Sequence, residues 1–123
     1  MNLVDSCGWL EYYADGRNAP FFAPAIEDTA NLLVPTICVL EVYKRMHQQR
    51  GREFAYRALA GMQAGYVVDL DAALAVAAAH VGLATGLPLA DSIVLATARA
   101  HDAVLWTQDA HFEGMDGVRY APA

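Results

Sequence analysis

The stretch 89–109, LADSIVLATARAHDAVLWTQD, contains the two kinds of element from which the fold can be inferred. Residues 89–101 predict a helix, and VLWT at 104–107 predicts a strand. Asp91 lies in the first turn of this helix, and Asp109 follows the strand by two residues. A helix that leads into a parallel strand runs antiparallel to it, so the start of the helix and the end of the strand lie at one edge. We therefore expect Asp91 and Asp109 to lie at the same edge of a sheet, where the strands end.

The same alternation extends over the rest of the chain. Further strands are predicted at 3–4, 32–35, 66–70 and 118–120, and further helices at 7–13, 25–30, 37–49, 53–62 and 72–84. Strands that alternate with helices indicate βαβ units, and hence an α/β fold with a mostly parallel central sheet covered by helices on both faces.

Local signals define several of these helices. Pro20 and Pro24 are expected only in the approach to helix 25–30, and Asp71 is the predicted N-cap of helix 72–84, which TGLP at 85–88 ends. Four apolar residues spaced three positions apart predict the apolar face of helix 37–49: Ile37, Leu40, Tyr43 and Met46. The aromatic residues Trp9, Trp106 and Phe112 are predicted to belong to the core.

Length and composition limit the class of protein. A chain of 123 residues predicts one domain over 1–123, and 56% hydrophobic with 18% charged residues is enough to bury a core. Apolar stretches such as 72–79 are too short to cross a bilayer, so no membrane association is expected, and the first residues lack signal-peptide features. Cys7 and Cys38 form no Cys-x-x-Cys motif, which favours a reduced, cytoplasmic setting.

The charge distribution excludes one kind of function. Eight basic and fourteen acidic residues give a formal net charge of −6. This argues against a protein held to nucleic acid mainly by a broad basic surface. It is compatible with an enzyme that binds phosphate through divalent cations, because there the protein supplies local negative charge and the metal reverses its sign.

Four acids are predicted at one rim of the sheet. Asp5 directly follows strand 3–4, and Glu41 lies in the first two turns of the helix entered from strand 32–35, so both join Asp91 and Asp109 at the carboxyl edge. Each acid also has a local interpretation: Asp5 as an N-cap, Glu41 paired with Arg45, Asp91 beside a helix dipole and Asp109 as a turn cap. Together, four carboxylates would repel one another unless a cation held them.

Four motifs in order resemble the PIN-domain family. They are VDS at 4–6, VLEV at 39–42, LPLADSIVLATA at 87–98 and LWTQDAHF at 105–112, and the resemblance covers essentially the whole chain. The compact form is typical of VapC toxins of prokaryotic toxin–antitoxin pairs. Gln108 and Ala110 stand where charged residues are commoner, which bears on RNA contacts rather than on the acids. The resemblance implies a three-layer α/β/α sandwich.

The resemblance also implies an activity. It suggests a Mg²⁺- or Mn²⁺-dependent endoribonuclease that leaves 5′-phosphate and 3′-hydroxyl ends, with Asp5, Glu41, Asp91 and Asp109 as catalytic and metal-binding residues. Asp5 and Asp91 are the expected direct ligands, while Glu41 would position water or a second ion and Asp109 would complete the set. Three hydroxyls are expected nearby, as helix caps or as groups that orient water or the acids: Ser6, Thr36 and Thr107.

Expected partners follow from the same resemblance. They are an RNA substrate, a VapB-type antitoxin and a second copy of the chain in a homodimer. The basic residues Lys44, Arg45, Arg50, Arg52 and Arg57 form either a solvated helical face or a flank that guides RNA. Apolar residues expected to pair with another chain, although some of them belong to the core if buried, are Trp9, Tyr12, Tyr13, Phe21, Phe22 and Ile26.

Two other functions stay open from the sequence. One is a PIN-like RNA- or protein-binding module without turnover. The other is a metal-dependent phosphatase on a similar sheet, although Asp5 has no second Asp two residues later, and a receiver domain would need a late Lys where the only Lys is Lys44. The pair Asp69 and Asp71 is better explained as a strand end and an N-cap than as a metal pair. The four histidines share no motif and are expected to be structural or surface groups.

Overall fold

The computed structural model describes all residues, 1–123, and contains five strands and six α-helices. The strands are β1 (Asn2–Val4), β2 (Leu32–Pro35), β3 (Tyr66–Val68), β4 (Val104–Thr107) and β5 (Val118–Tyr120). The helices are α1 (Ser6–Tyr13), α2 (Ala19–Glu27), α3 (Thr36–Arg50), α4 (Arg52–Gln63), α5 (Ala72–Thr85) and α6 (Leu89–Ala100). Two 3₁₀ turns complete the chain, Thr29–Asn31 and Ala110–Phe112.

The five strands form one sheet in the order β3-β2-β1-β4-β5, and every neighbouring pair is parallel. Parallel strands require crossovers, which are right-handed, so the reversal of direction after β3 puts α5 and α6 on the opposite face from α1–α4. The predicted α/β/α sandwich is therefore confirmed, with a sheet that is parallel throughout.

Local sequence explains where α5 begins and ends. The Asp71 carboxylate accepts a 2.8 Å hydrogen bond from the backbone N–H of Leu74, as an N-cap does. The helix ends at Gly86, whose φ of 72° lies in the left-handed region that residues with a side chain rarely adopt. Asp71 is thus occupied in capping, which agrees with its predicted structural role.

The core lies between the sheet and its helical layers. Residues of β1, β2 and β4 are buried because both faces of a central parallel strand are covered: Leu3, Val4, Leu32, Leu33, Val34 and Leu105. Trp9 and Phe112 are almost completely buried and Trp106 is 9% exposed, so the prediction that these three aromatic residues pack in the core is confirmed.

Three local predictions were wrong. Helix α2 begins at Ala19, not at 25, and it includes Pro24, since tertiary burial of Phe22 and Ile26 outweighs the single backbone hydrogen bond that a proline removes. Strand β3 ends at Val68, two residues early. In α3 the buried stripe is Cys38, Val42 and Met46, whereas Leu40 is 58% exposed. An i, i+4 row and an i, i+3 row diverge around a helix, and only packing decides between them.

Of the six apolar residues proposed to pair with another chain, Trp9, Phe22 and Ile26 are core residues, whereas Tyr12, Tyr13 and Phe21 are partly exposed. The large exposed apolar side chains are Met1, Leu40, Tyr56, Tyr66, Val67, Leu70, Val76, Leu83 and Leu89. No single helix is long and apolar enough to span a membrane; α5 and α6 reach that length and composition only together, with a bend of 113° between them.

Candidate active site

The strand order reverses direction between β1 and β4, and this is where α/β sheets open a crevice beyond the carboxyl ends of their strands. Asp5 follows β1 directly. Its backbone N–H donates a 3.0 Å hydrogen bond to the Trp106 carbonyl, which continues the β1–β4 pairing past the last strand residue. Asp5 therefore lies at the mouth of the crevice, one residue beyond the end of β1 and beside the end of β4.

Asp5 is a buried carboxylate with defined partners. It is 4% exposed; Oδ1 accepts from the Ser6 N–H at 2.8 Å, and Oδ2 accepts from the Thr107 hydroxyl at 3.0 Å and from the Cys7 thiol at 3.5 Å. Burial raises the pKa of Asp5 to about 6, while the Thr107 and Ser6 hydrogen bonds oppose the rise and the Asp91 charge adds to it. Asp5 thus caps α1, as one local interpretation predicted, and also faces the crevice.

Glu41 enters the site from the second turn of α3. It is partly buried, and burial raises its pKa, an effect that hydrogen bonding to Ser6 opposes and the Asp91 charge increases. Glu41 forms no ion pair with Arg45, so the alternative of a helical Glu–Arg pair is not what the structure shows. Its carboxylate faces other acids instead.

Asp91 and Asp109 meet across His111. The Nδ1 atom of His111 lies 2.8 Å from Oδ2 of Asp91 and 3.2 Å from Oδ1 of Asp109. Burial raises the pKa of Asp91 and the nearby Asp109 carboxylate adds to the rise, whereas the His111 hydrogen bond opposes it. The pKa of His111 is raised in turn, first by the hydrogen bond to Asp91 and then by the charge of Asp109. The predicted turn cap is present too, since Asp109 Oδ1 accepts from the His111 N–H at 2.9 Å.

Of the four acids, Asp91 and Asp109 lie in one group with His111, with donor atoms within 4.8 Å of one another, and Asp5 and Glu41 are coupled to Asp91 by charge. Asp91 lies close enough to Asp5 and Glu41 for its charge to raise both of their pKa values, and Asp109 does the same to Asp91. Such a set is electrostatically unfavourable when every carboxylate is ionised. Hard carboxylate oxygens are the ligands that Mg²⁺ and Mn²⁺ prefer, so the donor set fits a divalent cation.

Comparison with known proteins gives the family. The family model described as "PIN domain" matches residues 3–118, which is nearly the whole chain and includes all four acids.

The chain belongs to the PIN-domain family.

Solved structures support the same fold. A toxin–antitoxin complex from Klebsiella pneumoniae is similar with a TM-score of 0.83 and 20% identity over 97% of this chain and 96% of that one. The VapC20 toxin of Mycobacterium tuberculosis, titled a sarcin–ricin loop cleaving toxin, has a TM-score of 0.76 and 18% identity over 97% and 99%. DNA-bound VapBC from Salmonella typhimurium has a TM-score of 0.75 and 14% identity over 99% and 98%. A search of curated protein sequences returned no significant match.

Two site residues of this PIN domain were missed by sequence reasoning. His111 was expected to be a structural or surface group, yet it contacts two of the acids. The Cys7 thiol lies 3.5 Å from both Asp5 Oδ2 and Thr107 Oγ1, and burial raises its pKa to about 12. The only signal in the sequence was the spacing of these residues, each two positions after an acid.

The basic residues beside the PIN-domain acids divide into two groups. Arg50 lies over the Phe54 ring at 4.0 Å and Arg57 pairs with Glu53 at 3.0 Å, so both cations have local partners. Arg52 likewise lies 5.9 Å from the Tyr56 ring. Lys44 and Arg45 instead line an open hollow with Glu41, directly beside the acids. Of the five basic residues that could form an RNA-guiding flank, Lys44 and Arg45 are therefore the two that border the site.

Proposed function

We propose that this PIN domain is a metal-dependent endoribonuclease of the VapC kind, the toxin of a type II toxin–antitoxin pair. The convergence of Asp5, Glu41, Asp91 and Asp109 at the point where the strand order reverses carries the proposal. The match of the family model over 3–118 and the similarity to toxin structures support it. We treat residues 1–123 as one such domain.

In this proposal the acids hold Mg²⁺ or Mn²⁺. When bound, the ion neutralises phosphate charge and activates water for attack on phosphorus. Asp5 and Asp91 are the direct ligands in this proposal: the Ser6 and Thr107 hydrogen bonds fix the Asp5 carboxylate, and Asp91 lies in the first turn of α6. Glu41 orients water or shares a second ion, and Asp109 completes the set.

Lys44 and Arg45 are the proposed contacts for the RNA backbone. They lie on α3 one turn beyond Glu41 and line a hollow with it. A phosphodiester that reaches the acids from this side would meet two cations before it meets the metal. Such contacts position the backbone without reading its sequence. The remaining surface is acidic overall, in line with the net charge of −6.

The proposed regulatory partner is a VapB-type antitoxin. An antitoxin arginine placed among the acids would replace the cation, since a guanidinium forks onto carboxylates. Antitoxin binding should then compete with Mg²⁺ and weaken in Asp91→Asn. The similar structures include a toxin–antitoxin complex from Klebsiella pneumoniae and DNA-bound VapBC from Salmonella typhimurium. Free cysteines at 7 and 38 agree with action in the cytoplasm.

The proposed homodimer uses α5. Between Ala72 and Thr85 this helix has no Asp, Glu, Lys or Arg, and its outer face exposes Val76 and Leu83, the latter at 85%. Leu89 at the start of α6 is 82% exposed beside it. Exposed His80 is the one titratable residue of this helix, and so apolar a helix is usually covered, here by the matching face of a second copy. Sedimentation of the purified chain and of Leu83→Glu tests this, with a monomeric wild type as the contrary result.

One experiment tests the activity. Purified protein is incubated with a labelled RNA in Mg²⁺, with and without EDTA, beside Asp91→Asn prepared identically. We expect cleavage by wild type in Mg²⁺ or Mn²⁺ only, with poor activity in Ca²⁺, whose coordination is looser. Cleavage in EDTA, or by Asp91→Asn at the wild-type rate, would contradict the proposal. Metal binding without cleavage of any RNA would favour a PIN-like binding module instead.

A further inference from the structure

His111 forms a group with Asp91 and Asp109 whose donor atoms could hold a cation. Its Nδ1 atom is 2.8 Å from Asp91 Oδ2 and 3.2 Å from Asp109 Oδ1, and the candidate donor atoms of the three residues all lie within 4.8 Å of one another. Adjacent ligands on a six-coordinate ion with bonds of about 2.1 Å are about 3 Å apart. The two nitrogen-to-oxygen distances therefore match the spacing of ligands on a single ion, with donors from two segments of the chain.

The position of His111 is held by its surroundings. Phe112, the next residue, is completely buried, and Asp109 Oδ1 accepts from the His111 backbone N–H, so the 3₁₀ turn Ala110–Phe112 is fixed at both ends. The imidazole side chain itself is 57% exposed. It therefore stands at the rim of the acidic crevice on an anchored turn, with room for an ion and its waters to enter.

The Nδ1 atom of His111 lies between two carboxylates. A single Nδ1–H makes one well-aligned hydrogen bond, yet Nδ1 is within 3.2 Å of carboxylate oxygens from two residues. A neutral imidazole presents a lone pair to a metal at the same position. In metal-free protein the ring pairs with Asp91, and in the metal-bound state the same atom is available to the ion.

We propose that His111 Nδ1, with Asp91 and Asp109, coordinates the divalent cation at the active site, so that the site binds Mn²⁺ in preference to Mg²⁺. The inference rests on the proposed metal-dependent function and assigns its metal preference. Imidazole is a good ligand for first-row transition metals, whereas Mg²⁺ favours carboxylate, carbonyl and water oxygens.

The test measures metal binding directly and separately from RNA cleavage. Mn²⁺ and Mg²⁺ affinities are determined by calorimetry for wild type, His111→Ala and His111→Asn. The control is His101→Ala, since His101 follows the opposite end of α6 and its ring contacts the Thr97 carbonyl. We expect His111→Ala to bind Mn²⁺ about tenfold or more weakly than wild type, which is a common effect of substitutions at metal sites. Its Mg²⁺ affinity should change by less than about threefold. His101→Ala should match wild type for both ions.

The Asn variant separates ligation from positioning. An Asn amide can keep the hydrogen bond to Asp91 but has no imidazole nitrogen. We expect His111→Asn to behave as His111→Ala does toward Mn²⁺. If His111→Asn binds Mn²⁺ as wild type does while His111→Ala does not, His111 only positions Asp91 and the proposal is overturned.

A spectroscopic readout completes the experiment. Pulsed EPR of Mn²⁺-loaded wild type should show coupling to a nitrogen nucleus that disappears in His111→Ala. Mn²⁺ binding and RNA cleavage without nitrogen coupling would overturn the role of His111 and leave the nuclease intact. Nitrogen coupling without cleavage of any RNA would support the metal site and contradict the proposed function.

Discussion

The Thr107 hydroxyl donates a 3.0 Å hydrogen bond to Oδ2 of Asp5, although the two residues are 102 positions apart. Oγ1 of Thr107 also accepts a 2.9 Å hydrogen bond from the Asp109 backbone N–H. Thr107 is completely buried, so it joins two of the four acids through one side chain. This links the end of β1 to the end of β4 at the crevice.

Replacing Thr107 should therefore affect both stability and activity. Thr107→Val removes the donor to Asp5 and leaves the Asp109 N–H without its acceptor, so we expect a loss of about 1–3 kcal/mol in the free energy of unfolding. The rate of RNA cleavage should fall by about tenfold or more, because Thr107 no longer holds Asp5 and Asp109 in fixed positions relative to each other. Thr107→Ser keeps the hydroxyl and is the matched control. Denaturant unfolding and RNA cleavage check both effects; equal behaviour of Val and Ser would contradict the bridging role.

Neutralising the acids should abolish cleavage without unfolding the protein. Asp5→Asn and Asp91→Asn keep the shape of the side chain but hold a cation poorly, so we expect a loss of at least about a hundredfold in cleavage rate. Asp69→Asn serves as the control, because Asp69 is an exposed acid beyond β3 and outside the cluster. Circular dichroism verifies folding. Full activity in the Asp5→Asn, Asp91→Asn double variant would remove these residues from the mechanism.

The metal-free protein should lose stability as the pH rises from about 4 to 6. The folded state holds the Asp5 proton more tightly than the unfolded chain does, because burial raises its pKa from 3.8 to about 6. The protonated carboxyl therefore favours folding below about pH 4, and this contribution is lost as the pH rises through 6, by up to about 3 kcal/mol. Unfolding in EDTA at several pH values measures it. Subtracting the Asp5→Asn profile isolates the contribution of Asp5, and parallel profiles would contradict it.

The basic flank should contribute to RNA binding through Lys44 and Arg45. The Asp91→Asn background prevents cleavage. In it, we expect the double change Lys44→Gln, Arg45→Gln to weaken RNA binding and to reduce the slope of log affinity against log salt concentration by about one to two. Arg57→Gln is the matched control, since Arg57 is already paired with Glu53 on α4. Fluorescence anisotropy over a range of salt concentrations gives the slopes. A larger effect from Arg57 would assign the RNA path to α4.

Gly8 in α1 should tolerate no side chain. A Cβ at this position would lie 2.7 Å from the Phe22 ring and 2.7 Å from Val4 Cγ1, both of them core atoms. We expect Gly8→Ala to reduce the free energy of unfolding by about 1–3 kcal/mol despite the better helix propensity of Ala. Gly82→Ala in α5 is the comparison, because its Cβ would meet only Ser92 Oγ, at 3.1 Å. Denaturant unfolding that ranks the two variants in the opposite order would show that α1 can move away from the sheet.

The order of elements and the rim position of the acids were predictable from the sequence. Asp5 follows a short apolar strand, Asp109 follows another, and Asp91 opens the helix between them, so each position depends only on neighbours in the chain. Parallel connectivity then brings strand ends to one edge without any knowledge of side-chain packing. The capping role of Asp71 was predictable for the same reason.

Tertiary structure alone decided what surrounds these acids. The buried stripe of α3, the extension of α2 through Pro24 and the burial of Phe22 depend on which faces meet, and several helical rows were compatible with the local pattern. His111 was missed because its contact with Asp91 joins positions 20 residues apart. The raised pKa of Asp5 follows from desolvation, which a sequence does not encode locally. Neighbouring residues determine where an acid lies relative to the end of its own strand or helix. The burial of that acid and the charges around it depend on the packing of segments that are distant in sequence.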